Sequence, residues 1–180
     1  MVSLGQDVCP DQWRILSGGC YHFFTERLSW AAAKEACEKL PGGGRLAEIE
    51  TEEQNDVIYE EAMKIMPKAW IGLTDSVEEG EWVWTSGEKA VFTNWARMPG
   101  REAMPDNYRG IDKNGENCAV LNTDPSETNN WAVPRKWNDE SCSMLEAGAI
   151  CKYEKHSIGD PVEAEACMTT DCQGLYCTYL

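Results

Sequence analysis

The sequence predicts a small, disulfide-stapled domain of mixed helix and sheet, and three observations support this fold class. Two stretches in the first half of the chain have the apolar spacing of amphipathic helices, and short apolar runs typical of strands follow them. Nine cysteines occur in 180 residues, far more than a cytosolic chain usually keeps. With 42% hydrophobic residues and eight tryptophans, the chain can bury a core. We therefore expect one compact domain with an appendage.

Two helices are predicted from their caps and from their apolar faces. The first begins after Ser29, a residue type favoured at N-caps, and ends at the proline and glycines of residues 41–44. The second begins at Thr51 with Gln54 three residues later, the spacing of a capping box, and ends at Pro67. The apolar positions are Trp30, Ala33, Cys37 and Leu40 in the first helix, and Val57, Ile58, Ala62 and Ile65 in the second.

Short apolar runs predict the strands of a small sheet packed against these helices. They cover residues 70–73, 82–84, 91–92, 118–121 and 149–153, and a Ser86-Gly87 turn separates the second run from the third. Between residues 94 and 137 the sequence is mainly irregular and polar, a length that indicates a functional loop region within a compact domain. After Tyr153 the apolar pattern stops, and residues 154–180 form a tail.

Charge and composition exclude several classes of partner. A formal net charge of -15 argues against a nucleic-acid surface, which needs clustered Lys and Arg, whereas it would attract calcium. No run approaches the ~20 apolar residues of a membrane span, so no membrane insertion is expected. The cysteines favour disulfides and a secreted, extracellular location, because none of their spacings is that of a zinc ribbon.

Oxygen-bearing side chains occur in and around the irregular region. Asp106, Glu116, Asn138 and Asp139 offer the hard ligands that calcium prefers, and they flank Cys118 or precede Cys142. The sequence therefore predicts a disulfide-stapled loop region that holds calcium. The alternative is an ordinary polar surface loop, since an acidic chain places many carboxylates near one another by chance.

Seven landmarks in this order resemble those of a C-type lectin domain over residues 9–153, with residues 1–8 as a lead. They are Cys9-Pro10 with Trp13, Cys20-Tyr21 with Phe23, Trp70-Ile71-Gly72-Leu73, Pro105-Asp106-Asn107, Glu116-Asn117-Cys118, Trp137-Asn138-Asp139, and Cys151. The resemblance implies an α+β fold with two helices, two small antiparallel sheets and a long loop region that carries calcium sites.

The same resemblance implies how six of the cysteines pair. The implied disulfides are Cys9–Cys20, Cys37–Cys151 and Cys118–Cys142. Three tail cysteines remain, Cys167, Cys172 and Cys177, and because three is odd at least one thiol is free or bonded to another chain. We therefore expect a disulfide-linked homo-oligomer or a disulfide to another chain.

The resemblance also implies a sugar-binding calcium site with Asp106, Glu116, Asn138 and Asp139 as ligands of both calcium and sugar. Met104 departs from the family pattern, which usually has Glu or Gln there, because a thioether is a poor calcium ligand. With an acid at Asp106, the arrangement is nearer the galactose type than the mannose type. Tyr108 could stack on the apolar face of galactose. The expected ligands are terminal galactose or N-acetylgalactosamine on glycans.

A second, auxiliary calcium site is implied around Asp75 and Glu79. The resemblance adds Asn107, Glu116 and Asn117 to it, and two amides where acids are common imply weaker affinity. The alternative is a polar turn before the strand at Trp82.

Most tryptophans are expected in the core, and one is expected at the surface. Trp70, Trp82, Trp84, Trp95 and Trp137 are predicted to be buried, because a buried indole is the commoner use of such a residue beside strands and a disulfide. Trp131 follows the polar residues 128–130 in an apparent insertion, where an exposed indole could extend the binding surface.

Enzymatic activity is not expected. His22 and His156 are the only histidines, and neither has a Ser or Cys partner in a nucleophile motif. Two binding hypotheses remain: a calcium-dependent lectin that recognises cell-surface or microbial glycans, and a lectin-like protein-interaction domain with a degenerate sugar site. Met104 favours the second, whereas the four retained ligands favour the first. An ice- or mineral-binding protein fits only the acidity.

Overall fold

The computed structural model describes residues 9–97, 103–126 and 133–153. Its elements, in chain order, are β1 (Arg14–Leu16), β2 (Gly19–Leu28), α1 (Trp30–Glu38), β3 (Arg45–Leu46), α2 (Glu52–Ala62), β4 (Lys68–Thr74), β5 (Val83–Trp84), β6 (Cys118–Asn122), β7 (Trp137–Glu140) and β8 (Ala147–Lys152). The predicted Trp131 and its polar neighbours, and all three tail cysteines, lie outside the described residues. No helix in the described ranges is long and apolar enough to cross a membrane.

One mixed sheet connects these strands. Its order is β1-β2-β8-β4-β6-β7, with β3 paired to β8 and β5 paired to β4. The two expected antiparallel sheets are joined because β4 and β8 pair in parallel at Ala69–Gly148 and Trp70–Ala149. The α+β fold class with two helices is confirmed, and the central strands explain the continuous apolar runs in the sequence.

The helices cover opposite faces of this sheet. Consecutive residues of a strand point to opposite faces, and Trp70 packs in the cluster of α1 whereas Ile71 packs in the cluster of α2. The same alternation holds for Val120 and Leu121. A sheet buried on both faces reads as uninterrupted hydrophobic sequence, which is the pattern seen at β4, β6 and β8.

Both predicted N-caps are confirmed. The Ser29 hydroxyl accepts from the amide of Ala32 at 3.3 Å, and the Thr51 hydroxyl accepts from the amide of Gln54 at 3.2 Å. The Gln54 side chain reaches one residue further back than a capping box requires and accepts from the amide of Glu50 at 2.8 Å. The second helix ends earlier than predicted, at Ala62, and Ile65 lies exposed after it.

The strand predicted at Val91 and Phe92 is wrong. The hairpin at the Ser86-Gly87 turn pairs only as far as a bridge between Val83 and Lys89, and Val91 is fully exposed. Phe92 instead turns its ring edge-on to Trp137, with centroids 5.6 Å apart. Packing on a tryptophan therefore replaces sheet pairing here.

The tryptophans fill the core as predicted. Trp70, Trp82, Trp84 and Trp137 are buried, and Trp95 is half-buried with its ring centroid 5.8 Å from that of Trp137. Trp137 donates its indole N–H to the Oδ1 of Asn55 at 2.7 Å, which ties α2 to β7. The strand that carries Asn138 and Asp139 is thus anchored by the residue before them.

Three disulfides match the pairing implied by the resemblance: Cys9–Cys20, Cys37–Cys151 and Cys118–Cys142. Cys37–Cys151 ties α1 to β8 across 114 residues. A link of that span restricts the unfolded chain most, by about 4 to 5 kcal/mol on the chain-entropy model. Cys118–Cys142 joins β6 to the segment after β7, so it lies beside the predicted ligands.

Candidate functional site

Three carboxylates meet at the end of the sheet. The oxygens of Asp106, Glu116 and Asp139 lie within 4.8 Å of one another. Asp139 lies on β7, Glu116 precedes β6 by two residues, and β6 and β7 pair at Ala119–Asp139. Asp106 comes from the long loop region and is exposed. Strand pairing therefore brings together two of the predicted ligands, and the loop supplies the third.

The cluster is electrostatically strained when it holds only protein atoms. Burial, and after it the charges of Asp139, Glu140 and Asp106, together raise the pKa of Glu116 to about 8. Burial likewise raises the pKa of Asp139 to about 6 against hydrogen bonds that lower it. Crowded acids of this kind are stabilised by a bound cation, which neutralises the repulsion.

Asp139 uses one carboxylate oxygen to hold the loop and leaves the other without a partner. Its Oδ2 accepts from the backbone amides of Asp106 at 2.9 Å and Asn107 at 2.7 Å. Its Oδ1 is buried with no hydrogen-bond partner. Because a buried acceptor without a partner is costly, Oδ1 is a natural ligand atom for a cation.

Asn138 likewise uses one side-chain atom in hydrogen bonds and leaves the other without a partner. Its side-chain Nδ2 donates to the carbonyl of Asp139 at 2.7 Å and to the Oε1 of Glu140 at 3.3 Å. Its Oδ1 is buried and has no hydrogen-bond partner. The asparagine therefore presents a carbonyl oxygen, which is a ligand type that calcium accepts.

Met104 does not contribute to this cluster. Its side chain is buried, and its backbone amide donates to the carbonyl of Ala96 at 3.0 Å. The peptide bond between Met104 and Pro105 is cis. Met104 thus buries a neutral thioether, where Glu or Gln, side chains of similar length, would carry an oxygen.

Tyr108 lies on the surface beside the cluster. Its side chain is 55% exposed, and its backbone amide donates to the Glu116 carboxylate. A Cβ placed on Gly110 would lie 2.1 Å from the tyrosine hydroxyl, so the glycine makes room for the ring to fold over the loop. The ring therefore packs over Gly110 while much of the residue stays exposed.

The residues predicted for the auxiliary site are linked by individual contacts, and within the described ranges their carboxylates do not form a second cluster like that of Asp106, Glu116 and Asp139. Asp75 is buried, with Oδ2 accepting from the amide of Gly80 at 2.9 Å and Oδ1 lacking a partner. Burial raises the pKa of Asp75, and the charge of Glu79 adds to the effect. Glu79 accepts a hydrogen bond from the side chain of Asn107. The polar turn of the alternative interpretation is present too, since Asp75 caps it.

Asn107 and Asn117 complete that region in different ways. The Oδ1 of Asn107 accepts from the amide of Glu116 at 3.0 Å, and a Cβ on Gly115 would lie 1.8 Å from this oxygen. Gly115 also has a φ of 85°, so glycine is required twice over. The Asn117 side chain donates to the carbonyl of Asn114 at 3.0 Å. Glu116 is the residue predicted in both sites, and Asn107 contacts both through Glu79, Glu116 and Asp139.

Two sets of residues near the cluster were not predicted from the sequence. Lys68 forms an ion pair with Glu140 at 2.6 Å, and Asp112 accepts from the hydroxyls of Ser141 at 2.6 Å and Ser143 at 3.3 Å. The first pair joins residues 72 positions apart. The only available signal was the alternation of β7, which places Glu140 on the same side of the strand as Asn138.

Comparisons with known proteins give a consistent result. A family model described as the lectin C-type domain matches residues 26–153. An alpha-N-acetylgalactosamine-specific lectin from Patiria pectinifera is 31% identical over 154 residues, which cover 80% of this chain and 82% of that protein. Lectin BRA-3 from Megabalanus rosa is 30% identical over 153 residues, covering 84% and 82% of the two chains. The carbohydrate-recognition domain of the mouse scavenger receptor C-type lectin has a TM-score of 0.65 at 31% identity, covering 83% of this chain and all of that one.

Proposed function

Because this chain belongs to the C-type lectin family, we propose that it binds carbohydrate through a calcium ion. The primary cation site is defined here as Asp106, Glu116, Asn138 and Asp139. Lectins bind sugars without transforming them, so the prediction that the chain is not an enzyme is confirmed by its family. We base the proposal of calcium and glycan binding on the residues of this chain.

The observation that carries the proposal is the pair of buried oxygens without partners, Oδ1 of Asn138 and Oδ1 of Asp139, beside three clustered carboxylates. All donors in the primary cation site are hard oxygens, which suit calcium and do not suit soft metals. The site contains three carboxylates and one neutral amide, and this negative charge suits a divalent cation. The residues present therefore fit calcium, which would supply coordination to sugar hydroxyls when bound.

Met104 leaves the primary cation site one ligand short of the family pattern. Calcium takes about six to eight oxygens, so water and the two hydroxyls of a vicinal diol would fill the remaining positions. The carbonyl of Asp139 can add one more, since it accepts a single bond from Asn138 and keeps a second lone pair. We expect calcium affinity that is weakened by Met104 and still measurable.

We propose galactose or N-acetylgalactosamine as the sugar. The acid at Asp106 supports this choice, because an acid in the third position of residues 104–106 is nearer the galactose type than the mannose type. The exposed ring of Tyr108 supports it as well, since aromatic rings stack on the apolar face of galactose. The relative from Patiria pectinifera is named as specific for alpha-N-acetylgalactosamine.

We propose that Asp75, Glu79, Asn107 and Asn117 hold an auxiliary calcium ion together with Glu116. The buried Oδ1 of Asp75 supports this, because it lacks a partner in the same way as Asp139. Two positions of the set carry amides where acids are common, so the auxiliary ion should bind weakly. Its role would be to hold the loop at Asn107 against Glu116.

Sugar binding by calorimetry tests the proposal directly. Galactose and mannose are titrated into the protein with calcium and again with chelator. We expect heat from galactose only in the presence of calcium, and no galactose binding by Glu116→Gln. The exposed Glu52→Gln, at the start of α2, makes the same chemical change away from the site and should bind normally. Mannose binding alone, or galactose binding in chelator, would contradict the galactose proposal.

The second candidate function is a protein-interaction domain with a degenerate sugar site, and Met104 is the observation that favours it. This alternative predicts no sugar binding at any calcium concentration, even if calcium binds. A glycan array probed with calcium distinguishes the two, because a lectin should retain galactose-terminated glycans on the array. The absence of binding to every glycan on the array would favour the protein-interaction domain.

We further propose an extracellular location and a covalent oligomer through the tail. Three disulfides in the described residues support an oxidising compartment. The odd number of tail cysteines supports a bond to another chain. Electrophoresis without reductant should show a species of twice the mass, which reductant converts to 20.2 kDa. Only monomer, with one titratable thiol, would contradict the oligomer.

A further inference from the structure

A chain of polar contacts leads from the partly buried Lys68 on β4 to the primary cation site. Lys68 at the start of β4 donates to the Oε1 of Glu140 at 2.6 Å, and the same Oε1 accepts from the Nδ2 of Asn138 at 3.3 Å. Asn138 is 4% exposed and Glu140 is 8% exposed. The contacts are therefore largely shielded from water, where they are stronger than at the surface.

The hydrogen bonds of Asn138 fix the orientation of its side-chain amide, that is, the positions of Nδ2 and Oδ1. Two oxygens surround Nδ2, the carbonyl of Asp139 and the Oε1 of Glu140. Rotating the amide by half a turn would break both bonds and bring Oδ1 against two acceptors, which is repulsive. The present orientation leaves Oδ1 as the buried atom without a partner.

From this geometry we infer that Glu140, anchored by Lys68, is a positioning residue that fixes the Asn138 amide with its carbonyl oxygen available to the cation. The inference rests on the proposed function of the primary cation site. A rotated amide would present two N–H groups, and these repel a cation. Outer partners of this kind typically change metal affinity by about 10- to 100-fold.

Mutation of Lys68 separates two possible roles of this residue, because they change calcium affinity in opposite directions. If the lysine acted only through its charge, then Lys68→Met would remove a positive charge near the site and tighten calcium binding. If it anchors Glu140, then Lys68→Met frees the glutamate and weakens calcium binding. Lys68→Arg keeps the ion pair and should preserve affinity.

Calcium titration of the purified proteins supplies the first readout. We expect Lys68→Met to bind calcium about 10-fold more weakly than wild type, and Glu140→Leu to bind at least as weakly as Lys68→Met. The control is Lys64→Met, which removes an exposed lysine paired with Glu61 and should leave affinity unchanged. Calcium binding by Lys68→Met that equals or exceeds wild type would overturn the inference while leaving the proposed function intact.

The second readout uses the calcium-free protein, so it is independent of the proposed function. Nuclear magnetic resonance should show the Asn138 side-chain amide protons protected from exchange with solvent in wild type and in Lys68→Arg. We expect faster exchange in Lys68→Met and Glu140→Leu, with thermal unfolding confirming that each variant is folded. Equal exchange in all four proteins would overturn the inference even if wild type failed to bind calcium.

Discussion

The sheet interior and the loop end of this molecule are built on opposite principles. In the interior, the indole groups of Trp70 and Trp137 are buried and donate to a carbonyl and to Asn55. At the loop end, buried oxygens of Asp75, Asn138 and Asp139 have no hydrogen-bond partner. The interior also holds buried polar atoms without a partner, Trp82 Nε1 and Thr85 Oγ1, but these occur singly. Among the described residues, Asn138 and Asp139 combine such oxygens with three clustered carboxylates, so the loop end is the region that suits a ligand.

The largest effect should come from cutting the interior's longest covalent tie. We expect the double variant C37S/C151S to lose about 4 kcal/mol of unfolding free energy, since this link closes the longest loop among the three described disulfides. Denaturant titration in chelator measures this loss. Calcium should restore part of the stability by mass action if the loop end still forms. A loss below about 1 kcal/mol would mean that packing alone holds α1 to β8.

The next largest effect should appear only in ligand binding. Asp139→Asn keeps an oxygen for the amides of Asp106 and Asn107 and removes one of three clustered charges. We expect calcium affinity to fall by at least about 100-fold, while the calcium-free protein stays as stable as wild type or becomes more stable. Calorimetry and thermal unfolding measure the two quantities. A variant that is clearly less stable without calcium would break the contrast between the two regions.

The pH dependence of stability should have an unusual sign in chelator. The folded-state pKa values are about 8 for Glu116 and about 6 for Asp139, well above ordinary carboxyl values in the unfolded chain. A raised pKa stabilises the folded protein fully below the unfolded value and is lost as pH rises through the folded value.

We therefore expect the calcium-free protein to lose roughly 5 kcal/mol between about pH 5 and pH 8.5. Calcium should remove or reverse this slope, because it binds the ionised carboxylates. Denaturant midpoints across pH check the prediction. Glu116→Gln serves as the control, since it should flatten the slope, and stability that rises with pH in chelator would contradict the account.

A smaller effect is expected at Gly115, where the two proposed cation sites meet. Gly115→Ala places a Cβ against Asn107 and strains a φ of 85°. We expect about 1 to 2 kcal/mol lower stability and weaker calcium binding, because the displaced Asn107 no longer holds Glu116. Gly87→Ala is the matched control, since its φ of 91° gives similar strain in open space. Equal calcium affinity in both variants would exclude a role for Asn107.

The smallest expected effect is an increase in calcium affinity. Met104→Gln replaces a buried thioether by a side chain of similar length that carries a carbonyl oxygen. We expect calcium affinity to rise by less than about 10-fold, because burying the rest of the amide offsets part of the added ligand. Met104→Leu, which adds no oxygen, should leave affinity unchanged. Calorimetry compares the three proteins, and a gain in Met104→Leu would assign the effect to packing.

Local signals predicted much of the fold and of the candidate site. The caps at Ser29 and Thr51 are short-range features, and the strands at β4, β6 and β8 follow from continuous apolar runs. The four residues of the primary cation site were predicted from their oxygen chemistry together with the resemblance to C-type lectin domains. What they do with a ligand remains a proposal.

Features that depend on distant contacts could not be predicted. The parallel pairing of β4 with β8 and the ion pair of Lys68 with Glu140 join residues far apart in sequence. No local spacing of residues in the sequence indicates either contact. Val91 and Phe92 were mistaken for a strand because an apolar pair after a turn has the same pattern whether it pairs or packs on Trp137.

Calcium titration of metal-free wild-type protein by isothermal calorimetry tests the central claim most directly. The account predicts saturable binding with a dissociation constant below about 1 mM, the weak end of calcium sites in extracellular modules, and loss of that binding in Asp139→Asn. The absence of saturable heat at millimolar calcium, or equal binding by Asp139→Asn, would contradict it.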